Sequence, residues 1–217
     1  MCIRDRAFYN RSGANLIQGI TTEFAIRSSI TGKPRYKLAA IECDEGALRR
    51  VCKQLDPDVL VVTNVFRDQL DRYGEVTHTL ENIMAGVTNS PHATLCLNAD
   101  DSMVASIADK VDNDVIFYGV SCEIYPERVA DLSDATHCIM CGAEYAYDYV
   151  TFAHLGGFRC PACGYARPVP AVAVEKILER HSDSCVLEIS VDGVSSAVPV
   201  DVPASYDLSL IHISEPT

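Results

Sequence analysis

The sequence predicts an α/β fold: a mainly parallel sheet flanked by helices, with an inserted four-cysteine module and a C-terminal β-hairpin. Three observations predict it. Short apolar runs such as Asp58-Val-Leu-Val-Val62 alternate with longer stretches of helical apolar spacing, and such alternation builds right-handed βαβ units on a parallel sheet. Two Cys-x-x-Cys pairs, Cys138-Ile-Met-Cys141 and Cys160-Pro-Ala-Cys163, interrupt that alternation. Beyond them, two runs of alternating polarity meet at Asp192-Gly193, a hairpin signal.

The two chain ends fit nothing beside them. Met1 to Arg6 and Leu208 to Thr217 read as non-native artefact ends, translated adapter sequence, and are set apart from fold reasoning. Residues 7–207 then form one domain, with a zinc-binding insert expected at 135–168. The 48% apolar content with 7% aromatic residues is that of a globular chain with a full core. A net charge of −12 opposes a general phosphate-binding surface, so nucleic acid is not an expected partner. No stretch approaches the ~20 apolar residues that span a bilayer, and no signal-peptide core is visible, which makes the cytoplasm the expected location.

Taken in order, Leu16, Ile17, Ile20, Phe24, Ala25 and Ile26 place a helix over Ser12 to Ile30, ended by Thr31-Gly-Lys-Pro34. Lys37 to Glu42 is a short strand delivering Glu42, Asp44 and Glu45 at its carboxyl end, and Gly46 to Leu55 returns as a helix. Asp58 to Thr63 is the next strand. Glu75 to Thr88 carries Leu80, Ile83, Met84 and Val87 on one helical face, and Ala93 to Leu97 is a strand ending in Asn98-Ala-Asp-Asp101. Met103 to Val111 reads as a helix and Asp114 to Gly119 as a strand. The hairpin pairs Cys185 to Val191 with Ser195 to Asp201.

In the insert, eighteen residues separate the cysteine pairs, and each pair is followed directly by glycine, Gly142 and Gly164. That spacing is the four-cysteine zinc-ribbon pattern. Each knuckle aims two thiolates at one point, so Cys138, Cys141, Cys160 and Cys163 are the expected ligands of a structural Zn²⁺ with no open position. Two disulfides or four unrelated core thiols are the bland alternatives. His154, between the pairs, reads as a packing or surface residue. A module of ~30 residues buries too little to fold unaided, so the metal would contribute folding energy.

The acidic loops carry the chemistry. Glu42 and Asp44 end one strand, and Asp68 follows the next, so all three are expected to converge on one edge of a parallel sheet. Hard carboxylate oxygens there suit Mg²⁺, which completes its shell with water and phosphate. For Glu42 to Glu45 alone, a solvated helix N-terminus with favourable dipole interactions is the competing reading.

Thr63-Asn-Val-Phe-Arg-Asp-Gln-Leu-Asp-Arg-Tyr-Gly74 resembles the Mur ligase signature Thr-Asn-x-x-x-Asp-His-Leu-Asp-x-x-Gly. The strand ending in Glu42 resembles that family's Mg²⁺-binding segment, and Leu97-Asn-Ala-Asp-Asp101 is similar to another family element. Gln69 in place of histidine, Asn10-Arg-Ser-Gly-Ala-Asn15 and the inserted ribbon resemble the amidating branch, whose ligase subunits pair with a GatD-type glutaminase. The resemblance implies ATP-dependent amidation of a peptidoglycan stem carboxylate on lipid II, at the membrane surface, through an acyl phosphate. It implies that Glu42 holds Mg²⁺ while Asn64 and Asp68 shape the nucleotide loop; Gln69 is not assigned to metal. No phosphate loop precedes Tyr9-Asn10, which leads to the expectation of an incomplete central ATPase domain, inactive alone, with its catalytic residues in a missing C-terminal domain. No glutaminase nucleophile is recognisable, so ammonia comes from elsewhere. The alternatives are an amino-acid-adding or folylpolyglutamate synthase-like ligase, and a non-enzymatic zinc-ribbon interaction module.

Overall fold

The computed structural model describes residues 7–10, 14–65, 74–123 and 137–201. They fall into two compact units, one of the described residues up to 57 with 81–90, the other of the described residues in 58–80 and 91–201.

In the first unit, β1 (Ala7–Tyr9) pairs in parallel with β2 (Leu38–Ala40), Ala7 opposite Leu38. Between them runs α1 (Ile17–Arg27), and after them α2 (Glu45–Leu55). The α1 helix stops at Arg27 rather than at Ile30, because Ser28 is extended and bridges Pro34 across a turn in which Gly32 takes φ +77°. The Asp44 carboxylate accepts from the Gly46 amide at 2.9 Å and caps α2, which ends in the left-handed Asp56 before Pro57. Ile20, Ala47 and Val51 form a small core with Ile17, Phe24, Ile41 and Cys43 around them. Phe8 packs edge-on against Phe24 at 4.9 Å.

The second unit holds a six-stranded sheet in the order β10-β9-β8-β5-β4-β3. Its strands, numbered along the chain, are β3 (Val59–Val62), β4 (Thr94–Asn98), β5 (Val115–Val120), β8 (Val172–Arg180), β9 (Cys185–Val191) and β10 (Val194–Val200). β3, β4, β5 and β8 run parallel, and β9 and β10 close the sheet antiparallel. The mainly parallel sheet with a terminal hairpin is therefore as the sequence predicts. At the hairpin turn Asp192 and Gly193 both take positive φ, 48° and 81°, the backbone that matches strand twist in a two-residue turn. The helix α3 (Gly74–Thr88) joins β3 to β4, and Leu95, Leu97, Val104 and Ile107 are fully buried.

Two elements depart from expectation. The helix expected over Met103 to Val111 is a single turn, α4 (Ser102–Ala105), followed by a 3₁₀ turn at Ala108–Lys110. Ser106 explains the break: its hydroxyl donates to the Met103 carbonyl at 2.7 Å, and the amides of Ile107 and Lys110 bond three residues back, tightening the chain. The strand β8 has no counterpart in the expected elements. Register shifts after Val174 and Ile177 break its two-residue alternation, so Val172 to Arg180 reads as neither helix nor strand. Between β5 and β8 stand the two cysteine knuckles and the antiparallel pair β6 (Ala146–Phe152) and β7 (Leu155–Arg159).

Candidate functional site

Glu42 follows β2 with its side chain in solvent, while its backbone is fixed. The buried Asn10 side chain accepts from the Glu42 amide at 2.8 Å and donates from Nδ2 to the Glu42 carbonyl at 2.8 Å and the Ala14 carbonyl at 2.9 Å. The Asp44 amide donates to the Asn15 carbonyl at 3.1 Å. With both groups of the Asn10 amide engaged, the Glu42 backbone is held while its carboxylate is exposed. The Asp44 carboxylate instead caps α2. The helix-terminus reading holds for Asp44, and the Glu42 carboxylate stays exposed and caps no helix.

Asn64 and Val65 follow β3 in the other unit, so the structure describes Glu42 and Asn64 separately. Asp68 and Gln69 lie outside the described residues. The Asn64 Nδ2 is buried with no hydrogen-bond partner among the described residues, and an orphaned buried donor of this kind is what a bound ligand oxygen would satisfy. Val65 is buried, and its amide donates at 2.8 Å to the Asp101 carboxylate. The other Asp101 oxygen accepts from the amides of Met103 and Val104, at 2.8 and 3.2 Å, and caps α4. Asp100, next to it, accepts from Arg167 Nε at 2.7 Å and from the Val120 amide at 2.7 Å. Burial raises the Asp100 carboxyl above its ordinary range, and Arg167 opposes that shift.

The insert brings its four predicted ligands together. The Sγ atoms of Cys138, Cys141, Cys160 and Cys163 lie within 4.8 Å of one another, with Cys138 to Cys163 at 3.6 Å and Cys141 to Cys160 at 3.5 Å. All four are free thiols, which removes the disulfide alternative. Tetrahedral Zn²⁺ with Zn–S bonds of about 2.3 Å sets its sulfurs about 3.8 Å apart, and the cluster fits that spacing. The two knuckles repeat each other. The Cys138 amide donates to Ala143 O at 2.7 Å and that of Gly142 to Cys138 O at 2.8 Å; the Cys160 amide donates to Tyr165 O at 2.7 Å and that of Gly164 to Cys160 O at 3.1 Å. Gly142 and Gly164 both hold positive φ, 77° and 80°, where a side chain would be strained.

Thiol acidity alternates within the cluster. The Cys163 amide, donating to its sulfur, leads in lowering Cys160 to about 6 against partial desolvation. Burial raises Cys138, but the Met140 and Cys141 amides and the Tyr145 hydroxyl outweigh it and bring it down. Cys163 is pushed up to about 12: the Tyr165 amide acts downward, and desolvation with the neighbouring sulfurs overrides it. Cys141 is likewise raised: the Ala143 amide and the Cys163 sulfur act downward, and Cys160, desolvation and Cys138 override them. Each knuckle thus has one thiol made more acidic, Cys138 in the first and Cys160 in the second. His154 is a buried packing residue outside the sulfur cluster, as expected, and sits 3.7 Å from the Asp101 carboxylate.

The Mur ligase middle domain family matches residues 17–152. The chain belongs to the Mur ligase family. Mur ligase relatives include the MurT subunit of lipid II isoglutaminyl synthase from Staphylococcus aureus strain COL, 36% identical over 159 residues, 73% of this chain and 35% of the relative. The MurT subunit from Streptococcus pneumoniae R6 is 36% identical over 172 residues, 78% of this chain and 37% of the relative. The chain therefore spans about a third of the length of these relatives. Among solved structures, a pseudomurein peptide ligase type C from Methanothermus fervidus superposes with TM-score 0.59 at 24% identity, covering 76% of this chain and 32% of that one. MurF from Acinetobacter baumannii superposes with TM-score 0.58 at 12% identity, covering 94% and 34%. These two share the Mur ligase fold.

Arg167 is absent from the sequence reading, and Asn10 and Asp101 stand in stretches quoted for the resemblance without a role being assigned to either. Asn98-Ala-Asp-Asp101 before a helix carries a capping signal for Asp101; nothing local marks Asn10 or Arg167, whose partners are distant in sequence.

Proposed function

We propose that the chain supplies the central, nucleotide-handling domain, residues 7–207 with the ribbon at 135–168, of a MurT-type ligase subunit. That subunit amidates the α-carboxyl of D-glutamate in lipid II, giving D-isoglutamine in peptidoglycan synthesis. The observation that carries the reading is 36% identity to MurT subunits over about three quarters of the chain. The substrate carboxylate attacks the γ-phosphate of ATP, forming an acyl phosphate and ADP. Ammonia from a GatD-type glutaminase then attacks the acyl carbon and expels phosphate. Mg²⁺, when bound, neutralises charge on the phosphates. Glu42 would hold it from a backbone clamped by Asn10, Asn64 would offer its buried Nδ2 to the nucleotide, and Asp68, outside the described residues, is proposed to act in the same loop. The four cysteines hold a structural Zn²⁺. The reaction belongs at the cytoplasmic face of the membrane, where lipid II presents its stem peptide; no helix among the described residues is long and apolar enough to cross it.

The test uses the domain within the full-length subunit, together with its glutaminase. Glu42→Gln keeps the backbone clamp and removes the charge, and should lower glutamine-dependent amidation of lipid II on the order of 100-fold. Undiminished amidation in that variant, or transfer of an amino acid in place of ammonia by the unaltered enzyme, would refute the reading.

A further inference from the structure

The ribbon and the segment after β3 meet on the same three residues, Asp100 to Ser102. From the ribbon side, Arg167 pairs with the Asp100 carboxylate at 2.7 Å, and the Gly156 amide donates to the Asp100 carbonyl at 3.0 Å. The Tyr165 hydroxyl donates to the Ser102 carbonyl at 2.7 Å, and His154 Nε2 lies 3.7 Å from the Asp101 carboxylate. From the other side, the same carboxylate takes the Val65 amide at 2.8 Å. Val65 is the third residue of the Thr63 to Gly74 signature, which begins directly after β3. Both Asp101 oxygens are occupied by backbone donors, one by Val65 and one by Met103 and Val104. A carboxylate is required there, since an asparagine brings one acceptor oxygen and one donor group.

We propose that the four-cysteine module is a brace for the start of the signature segment, Asn64 and Val65, and that Asp101 is the positioning residue transmitting it. The knuckles fix Tyr165 and Arg167, because the Cys160 amide bonds the Tyr165 carbonyl at 2.7 Å and the Arg167 amide bonds Phe158 at 2.9 Å. Those side chains hold Asp100 and Ser102. The peptide between them then presents the Asp101 carboxylate to Val65. Metal loading of the ribbon sets the order of Asn64 and Val65 without the metal approaching them. This assignment does not rest on the amidation chemistry; only its consequence for nucleotide binding does.

Hydrogen exchange of the 217-residue chain tests it, zinc-loaded and after chelation, with the Leu187 amide in β9 as internal reference. The expected result is Val65 exchange rising at least tenfold on chelation while Leu187 stays within twofold. Asp101→Asn in the zinc-loaded chain should give the same rise at Val65 with the Gly142 and Gly164 amides still protected. Val65 unchanged while the knuckle amides exchange freely would overturn the brace. So would Val65 and Leu187 accelerating together, which would make the ribbon a general stabiliser of the unit. Because the readout contains no chemistry, its failure leaves the amidation reading standing, and failure of the lipid II assay leaves the brace standing.

Discussion

Asn10 offers the sharpest test of how Glu42 is presented. Its side chain makes three hydrogen bonds of 2.8 to 2.9 Å, two to the Glu42 backbone and one to Ala14. Removing it in Asn10→Ala loses bonds worth about 1 kcal/mol each and leaves the Glu42 amide and carbonyl seeking water, for a total of about 2–4 kcal/mol. Asn10→Asp is the more telling change. It keeps an acceptor for the Glu42 amide, yet turns the Nδ2 donor into an oxygen facing two carbonyl oxygens, so the nearly isosteric variant should be no more stable than alanine. A thermal melt of the 217-residue chain reads the loss as roughly 2–4 °C per kcal/mol. In the full-length ligase, both variants should also raise the Mg²⁺ concentration needed for half-maximal turnover, because the Glu42 carboxylate no longer starts from one place. Asn10→Asp with the stability and Mg²⁺ requirement of the unaltered protein would refute the reasoning, since it would mean that the donor half of the clamp does nothing.

Zinc affinity should fall steeply as the pH is lowered. At neutral pH, Cys160 near 6 is mostly thiolate while the raised Cys141 and Cys163 are protonated, so loading releases about two to three protons, and going from pH 7 to 6 should weaken binding about 100- to 1,000-fold. Competition with a chromophoric chelator measures this, and an affinity flat in pH would contradict a four-thiolate site. Phe158, fully buried between Tyr145 and Tyr165 at ring separations of 5.2 and 5.5 Å, should cost about 3–5 kcal/mol as Phe158→Ala, read by urea unfolding of the zinc-loaded chain. Gly119→Ala would set a Cβ 2.6 Å from Asp100 Oδ1 and 2.8 Å from Arg167 Nη2. It should destabilise by about 1–3 kcal/mol and loosen that ion pair, visible as faster exchange of the Val120 amide.

Much of the sheet is legible because its signals are local. Val59–Val62 is apolar and bounded by aspartate and a polar loop, Asp192-Gly193 announces its own turn, and each Cys-x-x-Cys-Gly encodes a knuckle within five residues. The failures are non-local. β8 is a strand because Tyr118 to Val120 on one side and β9 on the other accept it, and its shifted register erases the period that would reveal it. The break after α4 depends on a hydroxyl choosing a carbonyl in a stretch buried enough to hold it there. The site divides in the same way. The four sulfurs are readable from spacing, as is Glu42 from its strand end, whereas Asn10 and Glu42 stand 32 residues apart and Arg167 and Asp100 stand 67 apart. No window of sequence contains either pair.

The ribbon's place in the chain follows from a packing need. β5 and β8 are parallel neighbours, Tyr118 opposite Val172, and such a connection must cross a face of the sheet, a task usually given to a helix. Here the described part of the crossover contains β6, β7 and the knuckles, and its aromatic cluster of Tyr145, Phe158 and Tyr165 packs on Phe117 of β5 and Ala105 of α4. A module this small covers the sheet with few apolar side chains, and a metal held by the four cysteines would supply the order that a helix obtains from its own backbone. That exchange has a geometric return. A helix would lay a smooth apolar stripe over β5, whereas knuckles and hairpin project Arg167, Tyr165 and His154 toward the turn after β4. The crossover thereby gains a polar grip on Asp100 to Ser102, and through Asp101 on Val65, next to Asn64 in the segment after β3.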